Sequence, residues 1–256
     1  MLEARGLSIR LGRRLILEGV DFAAAPGALT AIVGPNGSGK TTLMRALTGE
    51  IRPEAGRIAM AGRAIDTLPP AALAGMRAVL PQAAQLAFPF TVHEVVRLGL
   101  HSGHSTAPSV EAALEAVHLP GFGGRFYQEL SGGEQQRVQL ARVLAQLWTP
   151  VVDGEARWLF LDEPVASLDI GHQIGVMRLA RGYAERGGGV VAVMHDLNLT
   201  AMFADRVVLL HGGQVLGAGA PAEVIRDDLL AAAYGCRLRV GQAPPAGPFV
   251  LPQSAI

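Results

Sequence analysis

A mixed α/β fold interrupted by a helical block is what this 256-residue sequence predicts, and three observations carry that expectation. Short, strongly apolar runs bounded by turn residues recur towards both ends of the chain, among them Leu29 to Val33, Trp158 to Leu161 and Val190 to Met194. Such runs suit strands covered on both faces. A glycine-dense loop joins the first of them to a helical pattern from Thr41 to Leu47. From about 83 to 148 the strand pattern gives way to helix-start signals, so the simplest account is a helical insertion into an α/β core.

Taken in order, Leu2 to Ile9 and Gly19 to Ala24 read as strands, with turn signals at Gly12 and Pro26-Gly27. Arg57 to Met60 is a further strand, Pro69-Pro70 opens a short helix, and Ala78 to Pro81 is a strand again. Thr91-Val92-His93-Glu94 fits a capping box that opens a helix to about Gly99, and Ser109 to Val117 reads as a second helix. Ser131-Gly132-Gly133-Glu134 fits the same box and opens a third, with Val138, Ala141, Leu144 and Ala145 on one apolar face. Strand signals return at Trp158 to Leu161, Val190 to Met194, Arg206 to Leu210 and Gln214 to Leu216, with a long helix from Ile170 to Arg186. The expected division is a core from 1–82 and 149–241, a helical block from 83–148, and a loose tail from 242–256.

Composition narrows the function classes. Half the residues are apolar and 17% are charged, too apolar and too weakly charged for a disordered chain. No apolar run approaches the roughly 18–20 residues of a membrane helix. The 22 basic residues balance 22 acidic ones and form no block, which argues against a nucleic-acid partner. A lone cysteine, Cys236, and an N-terminus without an apolar leader core lead to the expectation of a cytoplasmic protein. Lys40 is the single lysine; the other 21 basic residues are arginine.

That lysine lies in Gly34-Pro35-Asn36-Gly37-Ser38-Gly39-Lys40-Thr41, a full match to G-x-x-x-x-G-K-[ST] between a strand and a helix. Glycines let the backbone curl so that successive N–H groups point at phosphates, and the helix start adds positive potential. Lys40 is placed to reach the terminal phosphates and Thr41 to ligate Mg²⁺. Asp162 closes the apolar strand Trp158 to Leu161 and is the candidate metal-shell carboxylate, with Glu163 the candidate general base. At Ser131-Gly132-Gly133-Glu134 a second helix start exposes N–H groups with little side-chain bulk, a second anion site in one chain. Two phosphate-binding helix starts for one nucleotide suggest that the second serves another subunit.

These residues resemble the ATPases of the ABC transporter family, and the resemblance spans nearly the whole chain. The matching motifs fall in the family's order: the P-loop from Gly34 to Thr42, Gln82 of the Q-loop, the signature from Leu130 to Gln135, Asp162 and Glu163, the D-loop Ser167-Leu168-Asp169, and a switch histidine at His195. The resemblance implies a P-loop NTPase (RecA-like) core with an antiparallel β subdomain and an inserted helical subdomain. It implies ATP and Mg²⁺ as cofactors, Gln82 as a further metal contact, and a head-to-tail dimer in which Ser131, Gly132, Gly133, Glu134 and Asp169 serve the partner's nucleotide. It also implies a polytopic membrane permease, an external binding protein reached only through that permease, and a place on the cytoplasmic face of the membrane. Two positions depart from the pattern: Leu11 stands where the family carries an aromatic residue against adenine, and Val165 where many members carry Thr.

Within the family, Val79-Leu80-Pro81-Gln82, the stretch from Ala87 to Val92, Val95 to Gly99 and His195 to Leu199 resemble the ATPases of importers for iron chelates, haem and cobalamin. The loop from Trp148 to Arg157 is most similar to hemin-import ATPases, with siderophore or cobalamin import and a soluble cluster-assembly ATPase as the alternatives. Phe88 and Phe90 are candidates for a groove that accepts a permease helix. His101 and His104 sit in a glycine-broken polar loop and are not expected to ligate haem.

Overall fold

The computed structural model describes residues 1–82, 86, 88–102 and 108–255. The chain opens with β1 (Leu2–Leu11), β2 (Arg14–Ala24), β3 (Leu29–Val33), α1 (Lys40–Leu47), β4 (Ala55–Met60), β5 (Arg63–Ala64), α2 (Pro70–Met76) and β6 (Arg77–Leu80). Helices follow: α3 (Val92–Arg97), α4 (Val110–Ala116) and α5 (Gly132–Gln146). Then come β7 (Val151–Val152), β8 (Glu155–Ala156), β9 (Trp158–Asp162), α6 (Ile170–Glu185), β10 (Gly189–Val193), α7 (Leu197–Phe203), β11 (Arg206–His211), β12 (Gln214–Gly219), α8 (Pro221–Val224) and α9 (Asp227–Tyr234).

Two sheets organise these elements. The larger has the order β12-β11-β3-β10-β9-β6, with every pair parallel except β11 with β12. The smaller, β2-β1-β4-β5, is antiparallel. β3, β9 and β10 are buried along their whole length, as their unbroken apolar runs require. Alternation along them separates two cores. Ile32, Phe160, Val191 and Val193 face α1 and the small sheet, whereas Ala31, Val33, Leu159, Leu161 and Ala192 face the cluster built on α5 and α6. On α1, Leu43, Met44, Ala46 and Leu47 bury one face, so Leu47→Ala would cost about 2–5 kcal/mol.

The second strand is longer than its apolar run predicted. It starts at Arg14 because the pairing with β1 continues to Leu11, and Gly19 (φ 60) marks an extra residue between the pairs Leu7 with Val20 and Ile9 with Leu17. Such a bulge interrupts the alternation that sequence reading relies on. Before β9, Asp153 (φ 51) and Gly154 (φ 76) form the turn of the β7–β8 hairpin, where the sequence was read as a loop. The tail from 242 to 251 is exposed and without helix or strand, and it ends in a seated turn. A turn of 3₁₀ helix at Pro252–Ser254 buries Pro252, and Gln253 Nε2 donates to the Asn198 carbonyl at 3.3 Å on α7. No helix among the described residues is long and apolar enough to cross a membrane.

Candidate nucleotide site

The parallel sheet brings the chemistry together at one edge. Val193 on β10 pairs with Ile32 on β3 and with Asp162 on β9, so the residues after these three strands emerge side by side. Asp162 shares its parity with Trp158 and Phe160, which face the α1 side, and His195 shares its parity with Val191 and Val193. Both therefore project towards the helix that carries Lys40 and Thr41.

The loop from Gly34 to Gly39 has the backbone that only glycine tolerates at its critical points. A Cβ on Gly34 (φ 148) would lie 2.2 Å from the Leu210 carbonyl oxygen, and one on Gly39 (φ 102) 2.6 Å from Leu17 Cδ2. Lys40 is almost fully buried and its Nζ donates to the carbonyls of Gly34 at 2.9 Å and Pro35 at 3.0 Å. Burial pulls its pKa down, and the nearby charges of Glu163 and Asp162 work in the opposite direction.

Asp162 is 5% exposed. Burial, then the adjacent Glu163 charge, pushes its pKa up to about 6, while a hydrogen bond from Thr41 and the charges of Lys40 and His195 oppose that rise. Its Oδ1 is buried with no hydrogen-bond partner. A strained carboxylate oxygen beside the Thr41 hydroxyl is a set of hard oxygen donors of the kind a divalent cation takes, so the residues present fit Mg²⁺.

Glu163 holds the left-handed conformation (φ 52), which is rare for a side chain of this size and re-aims it from the strand's alternation. Its backbone is clamped on both sides: its N–H donates to the Val193 carbonyl at 3.2 Å, and Gln136 Nε2 donates to its carbonyl at 3.0 Å. Its carboxylate then receives Gln82 Nε2 at 2.9 Å on Oε2 and meets His195 Nε2 at 2.5 Å on Oε1. Gln82, Glu163, His195, Lys40 and Thr41 share an open cleft of about 690 Å³ with Asn36, Gly37 and Gly39. A larger cleft of about 910 Å³ elsewhere is lined by Glu3, Arg5, Glu18, Asp21 and Arg206, a mixture of opposed charges with no phosphate loop. Volume does not mark the reactive site here.

The second predicted group forms its own cleft of about 370 Å³, shared by Ser131, Gly132, Gly133, Glu134, Ser167 and Asp169. The capping box is complete: Ser131 Oγ accepts from the Glu134 N–H at 3.4 Å, and Glu134 Oε2 accepts from the Ser131 N–H at 2.8 Å. Those bonds hold the Glu134 pKa below its ordinary value. Asp169 caps α6 by accepting from the His172 N–H at 3.0 Å and also pairs with the His172 ring, which lowers its pKa. Pro35, Ser38 and Thr42 fall in or beside the phosphate loop as predicted, and Ser38 Oγ is buried without a partner.

Sequence reading passed over three contributors. Gln136 is recognisable only through its clamp on Glu163, and Arg14 and Ile16 line the first cleft from β2, in a stretch the bulge made illegible. Leu11 is 45% exposed and stands outside that lining, and Val165 is buried in the core. Phe88 is 68% exposed and meets the half-buried Phe90 edge to face, with centroids 6.4 Å apart. His104 lies outside the described residues, as does the side chain of His101.

Comparison with known proteins bears on the same residues. The sequence model of the family described as ABC transporter matches residues 17–166. The hemin import ATP-binding protein HmuV of Mesorhizobium japonicum is 57% identical across the full length of both chains. Its counterpart in Rhizobium meliloti is 58% identical over 100% of this chain and 99% of its own. A solved ATP-binding subunit of an ABC transporter superposes with TM-score 0.77 at 25% identity, covering 93% of this chain and 94% of that one. A bacterial ABC transporter cassette solved as a dimer gives TM-score 0.74 at 26% identity, covering 86% and 99%. With more than half of the chain matched by the family and full-length relatives well above any chance similarity, the protein belongs to the ABC transporter family.

Proposed function

We propose that this chain is the ATP-hydrolysing subunit of an importer of hemin, acting as a head-to-tail pair on the cytoplasmic side of a separate membrane permease. The observation that carries the ATPase reading is the convergence on Glu163: a histidine and a glutamine meet its carboxylate, and the P-loop lysine lines the same cleft. The cargo is inferred from the full-length relatives named for hemin import.

In this reading the backbone N–H groups from Gly34 to Gly39 and Lys40 hold the phosphates, as a compact ammonium on a flexible stem does better than a planar guanidinium. Thr41, Asp162 and Gln82 are the residues that would hold Mg²⁺, which when bound neutralises phosphate charge. Glu163 takes a proton from the attacking water, whose oxygen bonds to the γ-phosphorus as the bond to ADP breaks. His195, in contact with the same carboxylate, orients that water and the terminal phosphate. The N–H groups at the start of α5, from a second copy, stabilise charge on the transferred group. Gln82 precedes the segment that bears Phe88 and Phe90, which presents an exposed aromatic surface for a permease helix.

The test is ATPase activity of the chain reconstituted with its permease and binding protein in liposomes. Stimulation by hemin supports the reading. Stimulation by cobalamin or a ferric siderophore with hemin inert would reassign the cargo, and activity indifferent to any permease would remove the transport role.

A further inference from the structure

The phosphate end of the cleft is accounted for, but its outer wall is not. Ile16 Cγ2 lies 3.6 Å from where a Cβ on Gly39 would stand, so β2 passes directly beside the phosphate loop. Arg14 stands two residues earlier on the same strand, across the extra residue that β2 inserts between the pairs Ile9 with Leu17 and Arg10 with Leu15. Both line the cleft. The other lining residues belong to the phosphate loop and the start of α1, or are Gln82, Glu163 and His195, which meet one another. The nucleoside end of a nucleotide anchored at Lys40 therefore falls against Arg14 and Ile16.

Arg14 is equipped for that position. Its neighbour Arg10 is tied to Glu54 and to the Arg13 carbonyl, whereas the Arg14 guanidinium has no hydrogen bond or ion pair among the described residues. Leu11 is its partner across the turn and stays outside the lining. A guanidinium is planar, weakly hydrated and stacks on aromatic faces. Stacking reads the face of a base; telling one base from another needs hydrogen-bonding groups matched to its edge. Neither the Arg14 nor the Ile16 side chain offers an acceptor, and the amide of Asn36 lies within the phosphate loop.

We propose that Arg14 is the base platform of this cleft, stacking its guanidinium on the nucleobase with Ile16 beside it, and that the site takes purine nucleoside triphosphates with little preference between adenine and guanine. This rests on the nucleotide reading of the cleft.

Calorimetric titration of the full-length chain with ATP, GTP and inorganic tripolyphosphate tests it, with Lys40→Ala as the control for the phosphate end. Wild type is expected to bind ATP and GTP within about threefold of each other. Arg14→Ala should weaken both by about tenfold and leave tripolyphosphate unchanged. Arg14→Tyr should restore nucleotide binding, and Arg14→Lys, which keeps the charge and loses the plane, should not. An equal loss of tripolyphosphate with rescue by Lys would make Arg14 a phosphate cation and overturn the proposal. So would an unchanged ATP affinity in Arg14→Ala, or a wild-type preference for ATP over GTP beyond tenfold. If Lys40→Ala leaves tripolyphosphate binding intact, the nucleotide reading itself fails, whatever Arg14 does.

Discussion

The two anion-binding clefts of this chain are built on opposite plans. Around Lys40 the polar groups are already engaged with one another, and Lys40 and Asp162 are buried: lysine on loop carbonyls, Glu163 between Gln82 and His195, Asp162 on Thr41. Around Ser131 the groups are exposed, and the capping box uses the N–H groups of Ser131 and Glu134 while those of Gly132 and Gly133 have no intrahelical acceptor. The first cleft is a preorganised reaction centre. The second is a surface of oriented dipoles whose ligand has to be brought to it. In the proposed head-to-tail pair, the second cleft of one copy meets the first cleft of the other, and the two together make the complete site.

The largest expected effect tests the first cleft alone. Glu163→Gln removes the proton acceptor and keeps the shape, so turnover should fall on the order of a thousandfold while ATP affinity holds and the ATP-bound dimer accumulates in size-exclusion chromatography. Turnover within tenfold of wild type would move the general base elsewhere. Next comes the division of labour between the clefts. Gly133→Asp puts a carboxylate at the helix start, close to where Ser167 and Leu168 already crowd it, and should cut turnover about a hundredfold with the ATP affinity of the isolated chain unchanged. Mixing Lys40→Ala chains with Gly133→Asp chains should then restore activity, because one of the two composite sites contains neither lesion. Chains carrying both substitutions, mixed with wild type, should keep intact sites only in wild-type homodimers, because each composite site of the mixed dimer contains one lesion. An inactive mixture of the two single variants beside an active mixture of the double variant with wild type would show that each chain works by itself.

A third prediction separates stability from function within the first cleft. The Asp162 carboxyl has its pKa raised by burial and by Glu163 to about 6, above the value it has when unfolded. The folded protein therefore binds the proton more tightly, so this group's destabilising effect is fully present above pH 6 and fades as the pH falls through 6 towards the unfolded pKa. Asp162→Asn should stabilise the nucleotide-free chain at pH 7.5 by up to about 3 kcal/mol, read as a higher thermal unfolding midpoint, and abolish Mg²⁺-dependent turnover. In wild type, turnover should decline as the pH drops below 6. A variant less stable than wild type at pH 7.5 would mean that Asp162 is held by partners rather than strained.

What could be read from the sequence follows the same contrast. The phosphate loop, the strand that ends at Asp162 and the signature are each one unbroken segment of chain, and each obeys a local rule: glycine where φ is positive, an unbroken apolar run where a strand is buried, Ser and Glu three apart where a helix begins. The parity that turns Asp162 and His195 towards α1 is also local and therefore legible. Glu163's left-handed backbone is not, because it is held by Val193 and Gln136 from elsewhere in the chain. Arg14 was hidden by the Gly19 bulge, and the seated turn at Pro252 by its dependence on Asn198, 55 positions away. Long-range clamps leave no periodic trace.

The smallest effect probes the second cleft's own architecture. Ser131→Ala removes the side-chain acceptor of the capping box, which costs about 1 kcal/mol of stability, while the helix N–H groups stay in place. The Glu134 pKa is depressed chiefly by its hydrogen bonds to Ser131, so the favourable contribution of that charge exists above its unfolded pKa and is lost as the pH falls through the lower folded value. Denaturant unfolding of wild type and variant should accordingly differ at pH 7 and converge in acid. The ATP affinity of the isolated chain should not move, because nothing in the first cleft touches Ser131. If the loss is the same at pH 7 and in acid, the cap works through the serine alone. The helix start would then be organised without Glu134, leaving that carboxylate unspent beside the site where a partner's phosphates arrive.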